Sequence, residues 1–179
     1  MKRSWICAAG LFLITLAVFG TAWCYSYINI DDPYYYVLPK AITNGLTLDG
    51  IKWAFTDLSN AIWMPLTWIV YQVDYTLRNA ILTVCPSCDG FQLAYSIAHI
   101  QSILLHGLNA CLLFVFLRLI DAQRRLAVPL LAAAIWVVHP LRVESVVWIA
   151  SLKDVLSMTF LLLVRVQWVR FRENDSRPH

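Results

Sequence analysis

Charged residues are scarce in this chain. Asp, Glu, Lys and Arg make up 14% of its 179 residues, against roughly 25% in a typical soluble domain. That deficit excludes an ordinary soluble globular domain, and no nucleic-acid partner is expected. Internal repeats and low-complexity tracts are absent, as is any polar stretch long enough to fold separately; the final RFRENDSRPH is only a short polar tail. Nothing shows the internal pseudo-symmetry or paired interrupted spans of secondary transporters, so a transporter or channel ranks last among the readings. Cysteine is limited to five residues. Cys7, Cys24 and Cys111 lie in apolar stretches, whereas Cys85-Pro86-Ser87-Cys88 offers two thiols in a polar one. Two thiols are half of a zinc site, and no second CxxC or nearby His pair completes it, so no metal ligands are assigned. The pair is either a local disulfide, which an oxidising compartment favours, or two free thiols.

What the chain has is apolar and aromatic surface: 60% of its residues are hydrophobic, with eight Trp and eight Tyr. Such rings settle at membrane interfaces, where one end is dry and the other wet. The expected fold class is therefore an all-α integral membrane protein in contact with lipid, with about four transmembrane helices at residues 5–25, 94–117, 126–138 and 155–169. The first follows Met-Lys-Arg-Ser and resembles a signal peptide. At roughly 21 residues it is longer than the usual 7–15 of a signal core and close to the ~20 that span hydrocarbon, and Ala22-Trp23-Cys24 is a poor cleavage site, so it reads as a retained anchor. The third and fourth, at about 13 and 15 residues, cover roughly 20 and 22 Å against a ~30 Å core. Snorkelling of Arg124, Arg125, Arg165 and Arg170 extends their reach.

Basic residues set the orientation. Lys2, Arg3, Arg118, Arg124, Arg125, Arg165, Arg170, Arg172 and Arg177 flank one set of span ends, whereas the loop 28–93 holds only Lys40, Lys52 and Arg78. Four spans with both termini cytoplasmic satisfy the positive-inside rule. Residues 61–84 could be taken for a fifth span, but Asp74 and Arg78 would each cost about 2.5–3.5 kcal/mol at the bilayer centre. The segment reads instead as an amphipathic or re-entrant helix on the outer surface, with Trp53, Trp63 and Trp68 at headgroup level. The expected location is a multi-pass position in a bacterial inner membrane, or the endoplasmic reticulum in a eukaryote.

Three constellations are candidates for chemistry. Asn29-Ile30-Asp31-Asp32-Pro33 puts two carboxylates at the outer mouth of the membrane, suited to general-base or metal work. The bland alternative is capping: Asp32 before Pro33 makes a good N-cap, with Asn44-Gly45 as a stop. Only one residue occupies a cap, so Asp31 is the free acid. Along the second span Tyr95, His99, Ser102, His106 and Asn109 recur at spacings of 4, 3, 4 and 3, a single helical face. That face should look into the bundle, where interhelical hydrogen bonding is its simplest role. Residues 139–154 form an outer re-entrant segment carrying His139, Arg142, Glu144, Lys153 and Asp154. A helix capped near Pro140 would align Glu144 with Trp148, and Arg142 and Lys153 are cations able to stabilise a phosphate. The alternative there is a salt-bridged turn pairing Arg142 with Glu144 and Lys153 with Asp154.

Together these stretches resemble the GT-C membrane glycosyltransferases, specifically the branch with carboxy-terminal tetratricopeptide repeats that includes O-mannosyltransferases. The matching runs are NIDDPYYYVLPKAITNGLTLDGIKWAFT, WMPLTWIVYQVDYTL, LLHGLNACLLF and HPLRVESVVWIASLKDVLS, in order across nearly the whole chain. The resemblance implies a partial GT-C fold whose first outer loop carries juxtamembrane helices and an acidic pair, matched by Asp31 and Asp32. It implies a polyprenyl-phosphate sugar as donor, an acceptor hydroxyl deprotonated by one of those acids, and inversion at the anomeric carbon. Glu144 and Asp154 match a second acidic stretch, while Arg142 and Lys153, with His139 beside them, are candidates for the departing phosphate. No cofactor is required by the residues themselves, and a divalent metal is compatible with the acids.

The chain departs from that pattern at Met64 and Tyr71, where relatives usually have His, and at Ser151-Leu152, where they have Glu-Arg. The family also has on the order of ten or more ~20-residue spans. The expected reading is thus an amino-terminal glycosyltransferase module that works with further helices, supplied by a neighbouring chain. The competing expectation is a non-catalytic membrane protein, a truncated remnant or scaffold that keeps these polar residues as structural glue.

Overall fold

A computed structural model describes residues 2–58, 62–121, 123 and 126–175. Arg124, Arg125 and Arg177 of the basic-residue count lie outside these, as does the start of the segment at 61. Every regular element among the described residues is helical. Helix α1 (Lys2–Phe19) runs into a 3₁₀ turn, Gly20–Cys24. An extended stretch then leads to a π-turn, Pro33–Val37, and the short helices α2 (Lys40–Thr43) and α3 (Leu48–Thr56). Helices α4 (Pro65–Val84) and α5 (Gly90–Ile120) follow, then α6 (Ala127–Val138), α7 (Arg142–Val147) and α8 (Leu152–Asp175).

Among the described residues two helices are long and apolar enough to cross a membrane: Arg3–Cys24 and Gly90–Ile120. At 1.5 Å per residue the 31 residues of α5 extend about 46 Å, enough for the hydrocarbon and both headgroup layers. Helix α6 is apolar but has only 12 residues, about 18 Å. Helix α8 is longer than the sequence suggested. Its 24 residues begin at Leu152, so Lys153 and Asp154 sit in its first turn rather than before it, and Asp154 there complements the helix dipole.

The helix ends sort into two groups. At one end Ser4 of α1 accepts a hydrogen bond from Arg118 of α5, and Arg170 of α8 lines the same cleft. At the other, the segment 28–93 folds into a cap on the first turns of α5. Trp68, Tyr71 and Tyr75 of α4 share one core with Tyr36, Ala94, Tyr95, Ala98, Ile149 and Ala150. Aromatic edges build it: Tyr36 meets Tyr71 at 5.0 Å and Tyr75 at 5.1 Å, and Trp53 meets Trp68 at 5.5 Å. Such edge contacts add to area burial. Trp68 is therefore 0% exposed, packed inside the cap core and not presented to the surroundings as expected, whereas Trp63 is 60% exposed.

Turn chemistry fixes the cap locally. The Thr47 hydroxyl accepts from the Gly50 amide at 3.0 Å and starts α3, an ordinary N-cap. Gly45 closes α2 at φ +80° with Thr76 Oγ1 against it, a backbone position that favours glycine. Asn44-Gly45 is a stop as anticipated, but the segment before it is broken at Pro39 into the π-turn and α2. The Asp89 carboxylate caps α5 through the Phe91 and Gln92 amides. Just before it, Cys85 and Cys88 are joined as a disulfide, the first of the two states left open for that pair.

Candidate functional site

Asp32 is buried, and its carboxylate does not cap the turn that follows it. The residue adopts helical backbone angles and makes no side-chain capping bond. Instead Oδ2 accepts from the Ile28 amide at 2.8 Å and Oδ1 from the Ala150 amide at 2.7 Å. The expectation of an Asp-Pro cap is thereby corrected. The carboxylate ties the start of the cap segment to the segment entering α8, 118 positions away in sequence. Burial raises its pKa, while the two amides and the neighbouring Trp148 indole favour the ionised form. Asp31, next to it, is half-buried. Its carbonyl accepts from the Tyr34 and Tyr35 amides, and no described residue hydrogen-bonds its carboxylate, which leaves it the free acid of the pair.

The polar stripe of α5 faces inward as its spacing required: Tyr95, His99, Ser102, His106 and Asn109 are all buried. Two of them join helices. His106 Nε2 lies 3.1 Å from the Val137 carbonyl of α6, and Asn109 Nδ2 donates to the Val155 carbonyl of α8 at 2.9 Å. This is the interhelical role polar residues commonly take in membranes. The His99 ring nitrogens, the Ser102 hydroxyl and Asn109 Oδ1 are buried with no hydrogen-bond partner among the described residues.

The segment at 139–154 is organised differently from the salt-bridged turn considered for it. Among the described residues no ion pair joins Arg142 to Glu144 or Lys153 to Asp154. Lys153 Nζ donates to the Ala150 carbonyl at 2.8 Å, closing the same short turn whose amide Asp32 accepts. The Arg142 guanidinium stacks over Trp136 at 5.3 Å, a cation–π contact. His139 is exposed, and its Nδ1 accepts from the Leu141 amide at 3.3 Å. Helix α7 ends at Val147, so Trp148 leaves it in extended conformation and does not share a helical face with the exposed Glu144.

A cavity of about 340 Å³ between α5, α6, α7 and α8 gathers His106, Asn109, Arg142 and Asp154 with Ser145 and Ser157. Four residues singled out from two separate stretches thus line one space. Asp31, Asp32, His99, His139, Glu144 and Lys153 do not line it; Asp32 and Lys153 bind the turn at Ala150, immediately before Asp154. Among the described residues no group of three or more His, Cys, Asp or Glu is placed to hold a metal ion.

The structure adds Asp74, Tyr36 and Tyr71 to the cap end. The Tyr71 hydroxyl donates to the Ile149 carbonyl at 2.7 Å, and Tyr36 donates to the Ala94 carbonyl at 2.8 Å. Asp74 is buried, with no hydrogen bond to either carboxylate oxygen within distance among the described residues; burial raises its pKa well above the usual value, opposed in part by the nearby Tyr36 hydroxyl. Asp74 had registered in the sequence only as a charge too costly for a span. Its spacing from Trp68, Tyr71 and Tyr75 marks it for the inward face of α4, but spacing alone does not reveal that no cation among the described residues pairs with it. Because its folded pKa is raised, its stabilising contribution is complete below the unfolded value of 3.8 and is lost as pH rises towards the folded value. Asp74→Asn is therefore expected to flatten the fall in melting temperature between pH 5 and pH 8, and to match or exceed the wild-type melting temperature at pH 8. A thermal melt in detergent followed by circular dichroism reads this out, and an unchanged pH slope would contradict it.

Compared with protein-family models, curated proteins and solved structures, the chain matches none.

Proposed function

We propose that the chain is a four-span membrane protein with both termini cytoplasmic, its outer cap forming the amino-terminal part of a GT-C-like sugar-transfer site. The spans are α1 with its 3₁₀ extension, α5, α6 and α8. The carrying observation is the Asp32–Ala150 hydrogen bond at 2.7 Å, which supports treating the acidic pair and the Lys153-Asp154 turn as parts of one site. In this reading the Asp31 carboxylate takes the proton of an acceptor hydroxyl as its oxygen attacks the anomeric carbon of a polyprenyl-phosphate sugar, mannose-like by the resemblance. The bond from that carbon to the phosphate oxygen breaks with inversion, and Arg142 and Lys153 stabilise the departing phosphate. Asp32 acts as a positioning residue, and further helices complete the donor cavity.

A second reading, a non-catalytic membrane scaffold, draws on the same geometry. Asp32, His106 and Asn109 each use their side chains on backbone groups of neighbouring segments, which is what structural glue requires.

The membrane placement has its own test. With Cys7, Cys24 and Cys111 replaced by Ser, single cysteines at Leu48 and Asn79 should react with a membrane-impermeant thiol reagent added to intact cells or spheroplasts. A cysteine at Gln123 should react only after permeabilisation. Leu48 is 86% exposed, so silence there would reflect topology and not burial. Outside labelling at Gln123 would sink the four-span arrangement.

A further inference from the structure

At the end of the bundle opposite the cap, α1, α5 and α8 enclose a cleft of about 660 Å³. Its walls are apolar, from Leu108, Leu112 and Val115 of α5 and from Leu163 and Val166 of α8. Its mouth is cationic: Arg118 and Arg170 line it, and no Asp or Glu among the described residues does. Arg118 donates to the Ser4 hydroxyl and lies over the Phe114 ring at 5.9 Å. Its Nε is buried and has no hydrogen-bond partner among the described residues, which leaves that donor for a ligand.

The dimensions point to one occupant. From Leu108 to Arg118 the α5 wall rises about 15 Å, half of a ~30 Å hydrocarbon core and so the depth of one leaflet. A cation pair at the headgroup end of a leaflet-deep apolar groove matches a lipid with an anionic headgroup and an acyl chain. Trp5, 74% exposed, stands at the same mouth, where an interfacial indole belongs. A zwitterionic headgroup would bring its own positive charge to the arginines, and a protein helix would have to bring a carboxylate to this depth.

We propose that this cleft binds an anionic phospholipid of the leaflet at the basic end, its phosphate held by Arg118 and Arg170 and an acyl chain lying between α5 and α8. The proposal rests on the membrane placement above and is independent of sugar transfer.

The test is native mass spectrometry of the full chain, extracted from membranes in detergent and titrated with phosphatidylglycerol or phosphatidylcholine of equal acyl length. Phosphatidylglycerol should be retained more tightly. Each surface arginine near an anionic headgroup accounts for about five-fold in affinity. Arg170→Gln should lose that factor and Arg170→Lys should largely restore it. Arg118→Gln with Arg170→Gln should bring phosphatidylglycerol down to the phosphatidylcholine level. Leu163→Trp, which narrows the groove while keeping both charges, should weaken both lipids. Arg170 is exposed, so its variants leave the fold intact even where the double variant fails.

Equal retention of the two lipids by the wild type overturns the proposal, as does undiminished phosphatidylglycerol binding by folded Arg170→Gln. A lipid-free dimer that Leu163→Trp disrupts would make the occupant a second copy and overturn it too. Recovery of the chain in the soluble fraction without detergent would overturn the membrane placement and this site together, whereas membrane extraction without lipid preference overturns the site alone.

Discussion

Asp31→Asn is expected to lower sugar transfer by about 10²–10⁴-fold, the usual cost of losing a positioned general base, with no loss of folded protein. The expectation follows from the division of labour within the acidic pair. Asp32 has both oxygens committed to backbone amides, so it cannot accept a substrate proton without releasing a strut of the cap. Asp31 has no such commitment and remains half-exposed at the same end. The assay joins residues 1–179 to the later spans of a complete GT-C relative and supplies a polyprenyl-phosphate sugar with an acceptor peptide. Because the Asp31 side chain bonds no other described residue, its amide variant should show an unchanged helical spectrum and melting temperature. Unchanged transfer in a folded Asp31→Asn chimera would remove the main residue-level support for the enzyme reading and leave the scaffold. A folded chimera without transfer even when Asp31 is present would point instead to Met64, Tyr71 and Ser151-Leu152.

Tyr71 makes the second of those departures concrete. It stands where the resembled GT-C motif carries His, and here its hydroxyl donates to the Ile149 carbonyl inside an aromatic core. A buried phenol bonded to backbone stabilises the cap and offers no base. The scaffold reading therefore gains at position 71 what the enzyme reading gains at Asp31, and the chimera assay separates them.

Helical periodicity carried much of this architecture. The stripe from Tyr95 to Asn109 was legible because a 4-3-4-3 spacing has only one helical explanation, and polar groups in lipid must turn inward. The α8 start was not legible: Lys153 and Asp154 read as a break in an apolar run, yet charges in a first turn cost a helix little, and an acid there is favourable. Trp68 was misplaced because aromatic enrichment at interfaces does not distinguish a ring facing the headgroups from one packed on Tyr35 and Trp53. The face it shares with Tyr71 and Tyr75 does. Most instructive is Asp32, where local sequence argued for a cap while the true partner lay 118 residues away. No local rule reaches that far. The cavity that unites His106 and Asn109 with Arg142 and Asp154 was hidden for the same reason, since it needs the α5–α8 packing before the residues meet.

Substitutions at Asp32 should therefore act on stability first. Hydrogen bonds to a charged acceptor contribute roughly 1.5–3 kcal/mol each, and leaving a buried donor unsatisfied costs more than an exposed one. Asp32→Asn keeps one acceptor oxygen and turns an NH₂ towards the other amide, so it should lose about 1.5–3 kcal/mol. Asp32→Ala should lose about twice that, because both amides are orphaned. A true N-cap would give the opposite pattern, since Asn caps as well as Asp and only Ala would be costly. The difference is read in detergent by thermal melts of the three proteins. It is also read by hydrogen exchange at Ile28 and Ala150, whose amides should exchange faster in both variants while those of α5 remain protected. Because Ala150 immediately precedes the first turn of α8, loosening it also frees Lys153 from the Ala150 carbonyl. Transfer in the chimera should then fall with the fraction of intact cap, and recover when cooling restores it, as expected of a positioning residue. Loss of transfer in Asp32→Asn with unaltered melting and exchange would instead assign the base to Asp32 and return Asp31 to the surface.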